Sequence, residues 1–301
     1  MKSKFLTIIL FFFLHSFSVN SEEKTQSIKI NEYIYVLVGG GANSVLVIDK
    51  SSNLLLDSKV SGINPIFMQE IKKISDQPIR FLINTHWHHD HTEGNQKFAQ
   101  SDISIISHEN TRNRLKEGQR IILPMTGGYA PALDKSAWPM ISISDGMEFH
   151  LDKDKVNLIH VPNAHTDGDL MVHFTNADVI HMGDLFFSNG YPNIDVGSNG
   201  TIDGMIKAQK LALKLISKNG VVIPGHGNIS SPEDLVQSIN MLELVRNRIA
   251  DLINKGISKD EIIKKKPLTD LDKKWGNGYI KQERMIIQAY KSLTPRSTWI
   301  D

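Results

Sequence analysis

Between Ser27 and Asp57 apolar residues recur at two-residue spacing. Ile28, Ile30, Ile34 and Val36 alternate with polar neighbours before Gly39-Gly40-Gly41 interrupts the run. A period of two puts successive side chains on opposite faces of a strand. The apolar stretches Ser44 to Ile48 and Asn53 to Asp57 continue the pattern, which predicts consecutive strands with the glycine triplet as a hairpin turn. No Lys-Ser/Thr pair or Gly-x-Gly-x-x-Gly frame carries the triplet into a helix, so it is not read as a phosphate loop. From Ile63 to Ile74 the spacing becomes helical, with Ile66, Phe67, Ile71 and Ile74 on one face. Pro78 then leads into a strand over Ile79 to Asn84.

The alternation continues. A helix is predicted over Glu93 to Gln100, a strand over Ile103 to Ser107 and a helix over His108 to Gly118. Ile121 to Pro139, rich in Gly and Pro, reads as a long surface loop, a common form of substrate flap. Strands are predicted at Met140 to Ser144, Val156 to Val161, Leu170 to Phe174, Val179 to Met182 and Val221 to Ile223. Helices are predicted at Met205 to Lys218 and in the regions Pro232 to Lys255 and Lys281 to Leu293. Two comparable halves of alternating strands and helices imply a layered α/β fold, with buried sheets inside and helices outside.

Composition changes this picture in three ways. Met1-Lys2-Ser3-Lys4 is basic, Phe5 to Val19 is almost wholly apolar, and Asn20-Ser21-Glu22-Glu23 is polar, the pattern of a secretory signal peptide over 1–21. Its apolar run is shorter than the ~20 residues of a spanning helix and is broken by His15 and Ser16, so no stable membrane anchor is expected after cleavage. The mature chain, 22–301, is expected to be one domain, exported to the periplasm or secreted. Lys and Arg total 34 against 33 Asp and Glu, which supplies no field for polyanions and argues against nucleic acid as a partner. Lys264-Lys265-Lys266 reads as a solvated helix end. The chain has no cysteine, which excludes disulfides, thiolate nucleophiles and sulfur ligands. Any metal must be held by imidazole and carboxylate, a donor set suited to zinc and compatible with iron or manganese.

Such a donor set is present. His86-Trp87-His88-His89-Asp90-His91 packs three spaced histidines and an aspartate directly after the predicted strand Ile79 to Asn84. In extended chain, side chains two apart project to one side, so His86 and His88 can converge on one cation while Asp90 and His91 turn toward a second. Three further segments follow predicted strands and carry suitable atoms: His165 in Pro162 to Asp169, Asp184 in His181 to Asp184, and His226 in Pro224 to Gly227. Loops at the ends of buried strands are where α/β proteins gather ligands.

These four segments, in this order, closely resemble the metallo-β-lactamase-fold hydrolases, a superfamily that includes hydroxyacylglutathione hydrolases, lactonases and zinc β-lactamases. The resemblance spans roughly Ser27 to Gly227 and implies a four-layer αββα sandwich with the site at one edge. It assigns His86, His88 and His165 to a first metal and Asp90, His91 and His226 to a second, with Asp184 between them. Two zinc ions with a bridging hydroxide would then attack a carbonyl, and Asp90 would serve as both ligand and proton carrier. Asp57, at a strand end, is a candidate to hold a ligand imidazole, and Thr85, Thr166 and His181 lie where they could do likewise. His89 occupies a variable slot. His108, His150, His160 and His173 fit no ligand position.

The aspartate at 184 and the lack of cysteine point toward thioesterases, lactonases and related hydrolases, acting on an ester, thioester, lactone or amide of a small molecule. Two alternatives are a β-lactamase, as main or side activity, and a non-catalytic periplasmic zinc-binding protein. Diiron redox relatives usually place Glu where His88 stands and append a flavin domain, and neither feature occurs here. Substrate contacts are expected from Met125 to Pro139 and Phe186 to Asn199, with Trp87, Tyr129, Trp138, Phe187 and Tyr191 as candidate walls. No basic pair for an anionic tail is evident in those loops. The helical region from Ser231 onward is expected to cover the cleft or to mediate dimerisation.

Overall fold

The computed structural model describes residues 25–121 and 128–299. The predicted signal segment 1–21 and the six residues 122–127 of the predicted flap lie outside them. The first half runs Gln26–Lys29 (β1), Ile34–Val38 (β2), Ser44–Ile48 (β3), Asn53–Leu56 (β4), Asn64–Ile74 (α1), Ile79–Ile83 (β5), His89–Thr92 (α2), Asn95–Phe98 (α3), Ser104–His108 (β6) and Glu109–Glu117 (α4). A small antiparallel ribbon, Gln119–Ile121 (β7) with Gly128–Ala130 (β8), stands where a structureless loop was predicted, and Ile141–Ile143 (β9) follows. The second half comprises Gly146–His150 (β10), Lys155–Val161 (β11), Asp169–Phe174 (β12), Val179–His181 (β13), Ile202–Leu215 (α5), Val221–Ile223 (β14), Pro232–Asn254 (α6), Lys259–Lys265 (α7), Thr269–Trp275 (α8) and Gln282–Leu293 (α9).

Two sheets form, a seven-stranded one ordered β1-β2-β3-β4-β5-β6-β9 and a five-stranded one ordered β10-β11-β12-β13-β14. The inner strands β2, β3 and β4 are apolar on both faces because both faces are covered. Val36, Val45, Val47, Leu54 and Leu56 meet Val156, Leu158, Val172 and Phe174 of the second sheet in a core between the sheets. Their neighbours Leu37, Leu46, Leu55 and Leu82 point the other way, onto Phe67 and Ile71 of α1. On the far side, Met171, Ile180 and Val222 pack against α5, α6 and α9. The order helix, sheet, sheet, helix is the expected αββα sandwich.

Local chemistry sets the helix ends. Pro stands in the first turn of α1 and of α6, and Ser231 forms a capping box with Asp234 at the start of α6. The helix expected over Glu93 to Gln100 is the single short turn α3, and a further turn, α2, precedes it within the histidine motif. β10, α7 and α8 have no counterpart in the periodicity. Strand β10 is an edge strand that offers only Met147 and Phe149 to the core, and α7 and α8 are too short to establish a helical period. Lys264 and Lys265 end α7, as expected of a solvated helix end, and Lys266 turns the chain left-handed before Pro267. Among the described residues no helix is long and apolar enough to cross a membrane.

The between-sheet core predicts a sharp positional contrast. Leu56→Ala, at a fully buried site, is expected to cost roughly 2–5 kcal/mol, whereas Ile28→Ala on the edge strand should stay within about 0.5 kcal/mol. Urea unfolding midpoints of the two variants check this, and equal shifts would contradict the layering.

Candidate metal centre

The site is built at strand ends. His86 to His91 follow β5, His165 follows β11, Asp184 follows β13 and His226 follows β14. The chain brings these side chains into two groups, His86, His88, His165 and Asp184 in one, and Asp90, His91 and His226 in the other. All seven residues singled out in the sequence are therefore brought together.

Two close backbone approaches make this possible. A Cβ on Gly225 would lie 2.1 Å from Asp184 Oδ1, and one on Gly183 would lie 2.8 Å from Thr85 Oγ1. Only glycine lets the loops before His226 and Asp184 come so near. The loop after β2 contributes more than a hairpin turn: Asn43 donates through Nδ2 to the carbonyls of Pro224 and Gly227, and through its backbone N–H to that of Gly225. It thereby pins the loop that carries His226.

Hydrogen bonds decide which imidazole nitrogen faces the site. His91 Nδ1–H donates to Asp57 Oδ2 at 2.7 Å, leaving Nε2 with its lone pair. His165 Nδ1–H donates to the carbonyl of Asn193 at 2.8 Å. Thr85 Oγ1 donates its own proton to Asp57, so toward His86 Nδ1, 3.1 Å away, it acts as acceptor. His88 is reversed: its Nε2–H donates to Asp195 Oδ2 at 3.0 Å, which frees Nδ1. The atoms released are His86 Nε2, His88 Nδ1, His165 Nε2 and His91 Nε2.

These are the atoms that converge. His88 Nδ1 lies 3.1 Å from His86 Nε2 and 2.9 Å from His165 Nε2, and neither pair has a proton to share in these tautomers. Asp184 Oδ2 is 3.8 Å from His86 Nε2 and 3.5 Å from His165 Nε2. Its other oxygen, Oδ1, is 3.2 Å from His91 Nε2 and 3.3 Å from His226 Nε2, and Asp90 Oδ2 is 3.2 Å from His226 Nε2. Ligands placed tetrahedrally at the zinc–nitrogen distance of about 2.0–2.1 Å stand about 3.3 Å apart, so the spacing fits a small dication. Among the described residues the buried atoms His91 Nε2 and Asp184 Oδ1, 3.2 Å apart, form no hydrogen bond of good geometry. Buried polar atoms are rarely left so, and a cation between them would satisfy both.

Comparison with known proteins agrees with this geometry. The family model described as "Metallo-beta-lactamase superfamily" matches residues 37–226. The chain belongs to this superfamily. Among relatives, it is 25% identical to a probable metallo-hydrolase of Methanocaldococcus jannaschii over 67% of this chain and 93% of that protein. It is 24% identical to a linear primary-alkylsulfatase of a Pseudomonas species over 66% of this chain, spanning 44% of that longer protein. A solved metallo-beta-lactamase from Pontibacter korlensis superposes with a TM-score of 0.60 at 16% identity, covering 73% of this chain and 99% of that one, a likeness of fold. The clusters and the family together make the chain a metal-dependent hydrolytic enzyme.

The superfamily member's site is electrostatically divided. Burial pushes His86 well below the ordinary imidazole range and His165 down to about 4, so both are neutral and able to ligate. Burial acts the same way on His91 and His226, but carboxylates outweigh it. Asp57, Asp184 and Asp90 raise His91 well above its usual value, and Asp184 with Asp90 lifts His226 to about 9. Burial would raise the carboxyls of Asp184 and Asp90, and the facing histidines reverse this and hold both low.

Several supporting roles were legible and others were not. Asp57 and Thr85 hold ligands as anticipated. His181 is buried 3.7 Å from Asp57, beyond hydrogen-bond reach, and Thr166 bonds Asp169 rather than a ligand. The ring of His89 is mostly exposed and belongs to neither cluster. His108 and His160 stack on each other at 3.7 Å, away from the site. Asp195 and Asn193 lie in the segment expected to contact substrate, and their support of His88 and His165 had no signal in motif spacing.

Zinc and a proton compete for the same lone pair on His226. Below about 9 that proton is held, so uptake by metal-stripped protein should release protons, and apparent affinity should fall as pH drops from about 9 toward 6. Titration calorimetry in buffers of different ionisation enthalpy checks this, and a pH-independent affinity would remove His226 from the ligand set. Asp57→Ala, which frees the His91 ring, is expected to weaken zinc binding by about 10–100-fold.

Proposed function

We propose that the chain is an exported dinuclear zinc hydrolase that cleaves an ester, thioester, lactone or amide bond of a small molecule. The observation that carries this reading is the carboxylate of Asp184, whose Oδ2 faces one imidazole cluster while its Oδ1 faces the other. Closed structural zinc sites complete their four protein ligands and sit away from substrate. Here Asp90, His88, Asp184 and His226 line a cavity of about 480 Å³, large enough for a small substrate.

Bound zinc would supply Lewis acidity and a water ionised near neutrality. The chain's own residues do the remaining work. Asp90 turns Oδ2 toward His226, while among the described residues its Oδ1 pairs with the exposed His89 alone, at 3.9 Å, so it can accept a proton on the cavity side and return it to the leaving group. Phe187 stacks on His226 at 5.1 Å and Trp87 lies against His88 at 4.6 Å, giving apolar walls that limit water beside the reacting bond. Trp87 is itself fixed by a 3.2 Å hydrogen bond to Ser198 Oγ. Export to the periplasm or medium rests on the basic and apolar N-terminal pattern over 1–21.

Steady-state turnover by zinc-loaded protein on parallel panels of thioesters, lactones, esters and β-lactams tests the reading. The Pseudomonas relative's name adds alkyl sulfates as a further panel. A chelator-sensitive rate on one panel is expected. Asp184→Asn should retain about one zinc instead of two, and Asp90→Asn should lower turnover by about 10²–10⁴-fold with the metal retained. Two tightly bound zinc ions without turnover on any panel would favour a metal-binding role, and an unimpaired Asp90→Asn would take Asp90 out of the chemistry.

A further inference from the structure

Part of the cavity wall is made by the C-terminal region, through Tyr279, Ile280 and Arg284. Arg284, on α9, lies beyond residue 226, where the family match ends. Among the described residues its guanidinium is not compensated. Nε and Nη1 are buried and have no hydrogen-bond partner, and Nη2 makes only a 3.4 Å approach to Asn193 Oδ1, an oxygen already taken by Gln288 Nε2 at 2.6 Å. The carboxylate of Asp195 lines the same cavity but is engaged by His88 and the backbone of Ser198. The ring of the exposed Tyr279 lies 5.4 Å from the guanidinium carbon.

A guanidinium without an acceptor in a cavity wall is unfavourable unless something else pairs with it. The two metals proposed above would bring four positive charges to the cavity against the three carboxylates of Asp90, Asp184 and Asp195, so the cavity as a whole favours an anion. We propose that Arg284 recognises a carboxylate on the substrate, at the end remote from the scissile bond. This rests on the hydrolase reading and narrows it to acyl compounds that carry a free acid group. Gln288 and Asn193 position the subsite, and Asn193 also accepts the Nδ1–H of His165, which ties anion recognition to the ligand wall.

The test uses zinc-loaded protein and two readouts. In calorimetric titration, glutarate should bind about tenfold tighter than butyrate, because one carboxylate meets the ligand cluster and the second meets Arg284. Arg284→Met should bring that ratio close to one, and Arg284→Lys, which keeps a point charge, should leave an intermediate ratio. In turnover, substrates with a free carboxylate should exceed their carboxamide counterparts by about tenfold in kcat/KM, through KM, with the ratio collapsing in Arg284→Met. Equal binding of glutarate and butyrate by the wild type, or an unchanged preference in Arg284→Met, overturns the proposal. Turnover with no carboxylate preference would defeat the subsite and leave the hydrolase reading standing. An Arg284-dependent glutarate preference without turnover on any panel would uphold the anion site and defeat the hydrolase reading.

Discussion

The structure depends on one carboxylate. Asp184 is buried between two sets of imidazoles, and each of its oxygens serves a different set. A buried carboxylate facing only neutral groups would be expelled or protonated. Its persistence as an anion requires positive charge on both sides, whether from protonated imidazole or from bound cations. The loops after β5, β11, β13 and β14 must therefore arrive at one point, and the two sheets must pack so that these strand ends share an edge. Fold and site are in this sense a single constraint.

Convergence alone would not make ligands of the histidines, since an imidazole can present either a lone pair or a proton. Asp57, Thr85, Asn193 and Asp195 remove that freedom by accepting one ring proton each. Asp57 is the most economical of these supports, because it takes the proton of His91 and that of Thr85, which in turn accepts from His86. A single buried carboxylate at the end of β4 thus orients ligands in both clusters. Burial makes this reliable: with no water to compete, each tautomer has one satisfied arrangement.

Much of this was legible in the chain itself. The two-residue period exposed the strands of the first sheet, and the ligand motifs sat at fixed offsets after apolar runs, where neighbours in sequence are neighbours in space. What stayed hidden depends on contacts between distant segments. Asp195 supports His88 across more than a hundred residues, and Asn43 holds the His226 loop across an even longer interval. No periodicity encodes such pairs. Strand β10 and helices α7 and α8 were missed for a different reason, since each buries too few side chains to imprint a pattern.

The division of labour along the chain follows from the same physics. The ligand-bearing loops up to His226 have almost no freedom to vary, because a glycine at 183 or 225 replaced by any larger residue would collide with the centre they build. The helices after His226 are under no such demand. They pack with α5 on the outer face of the second sheet and reach the cavity through residues such as Tyr279, Ile280 and Arg284. A wall attached to a rigid centre through side chains alone can change its charge and shape without disturbing the metals. The sequence loops nearest the ligands could therefore disclose the chemistry, while the residue proposed to select the substrate, Arg284, stands on a helix that carries no motif.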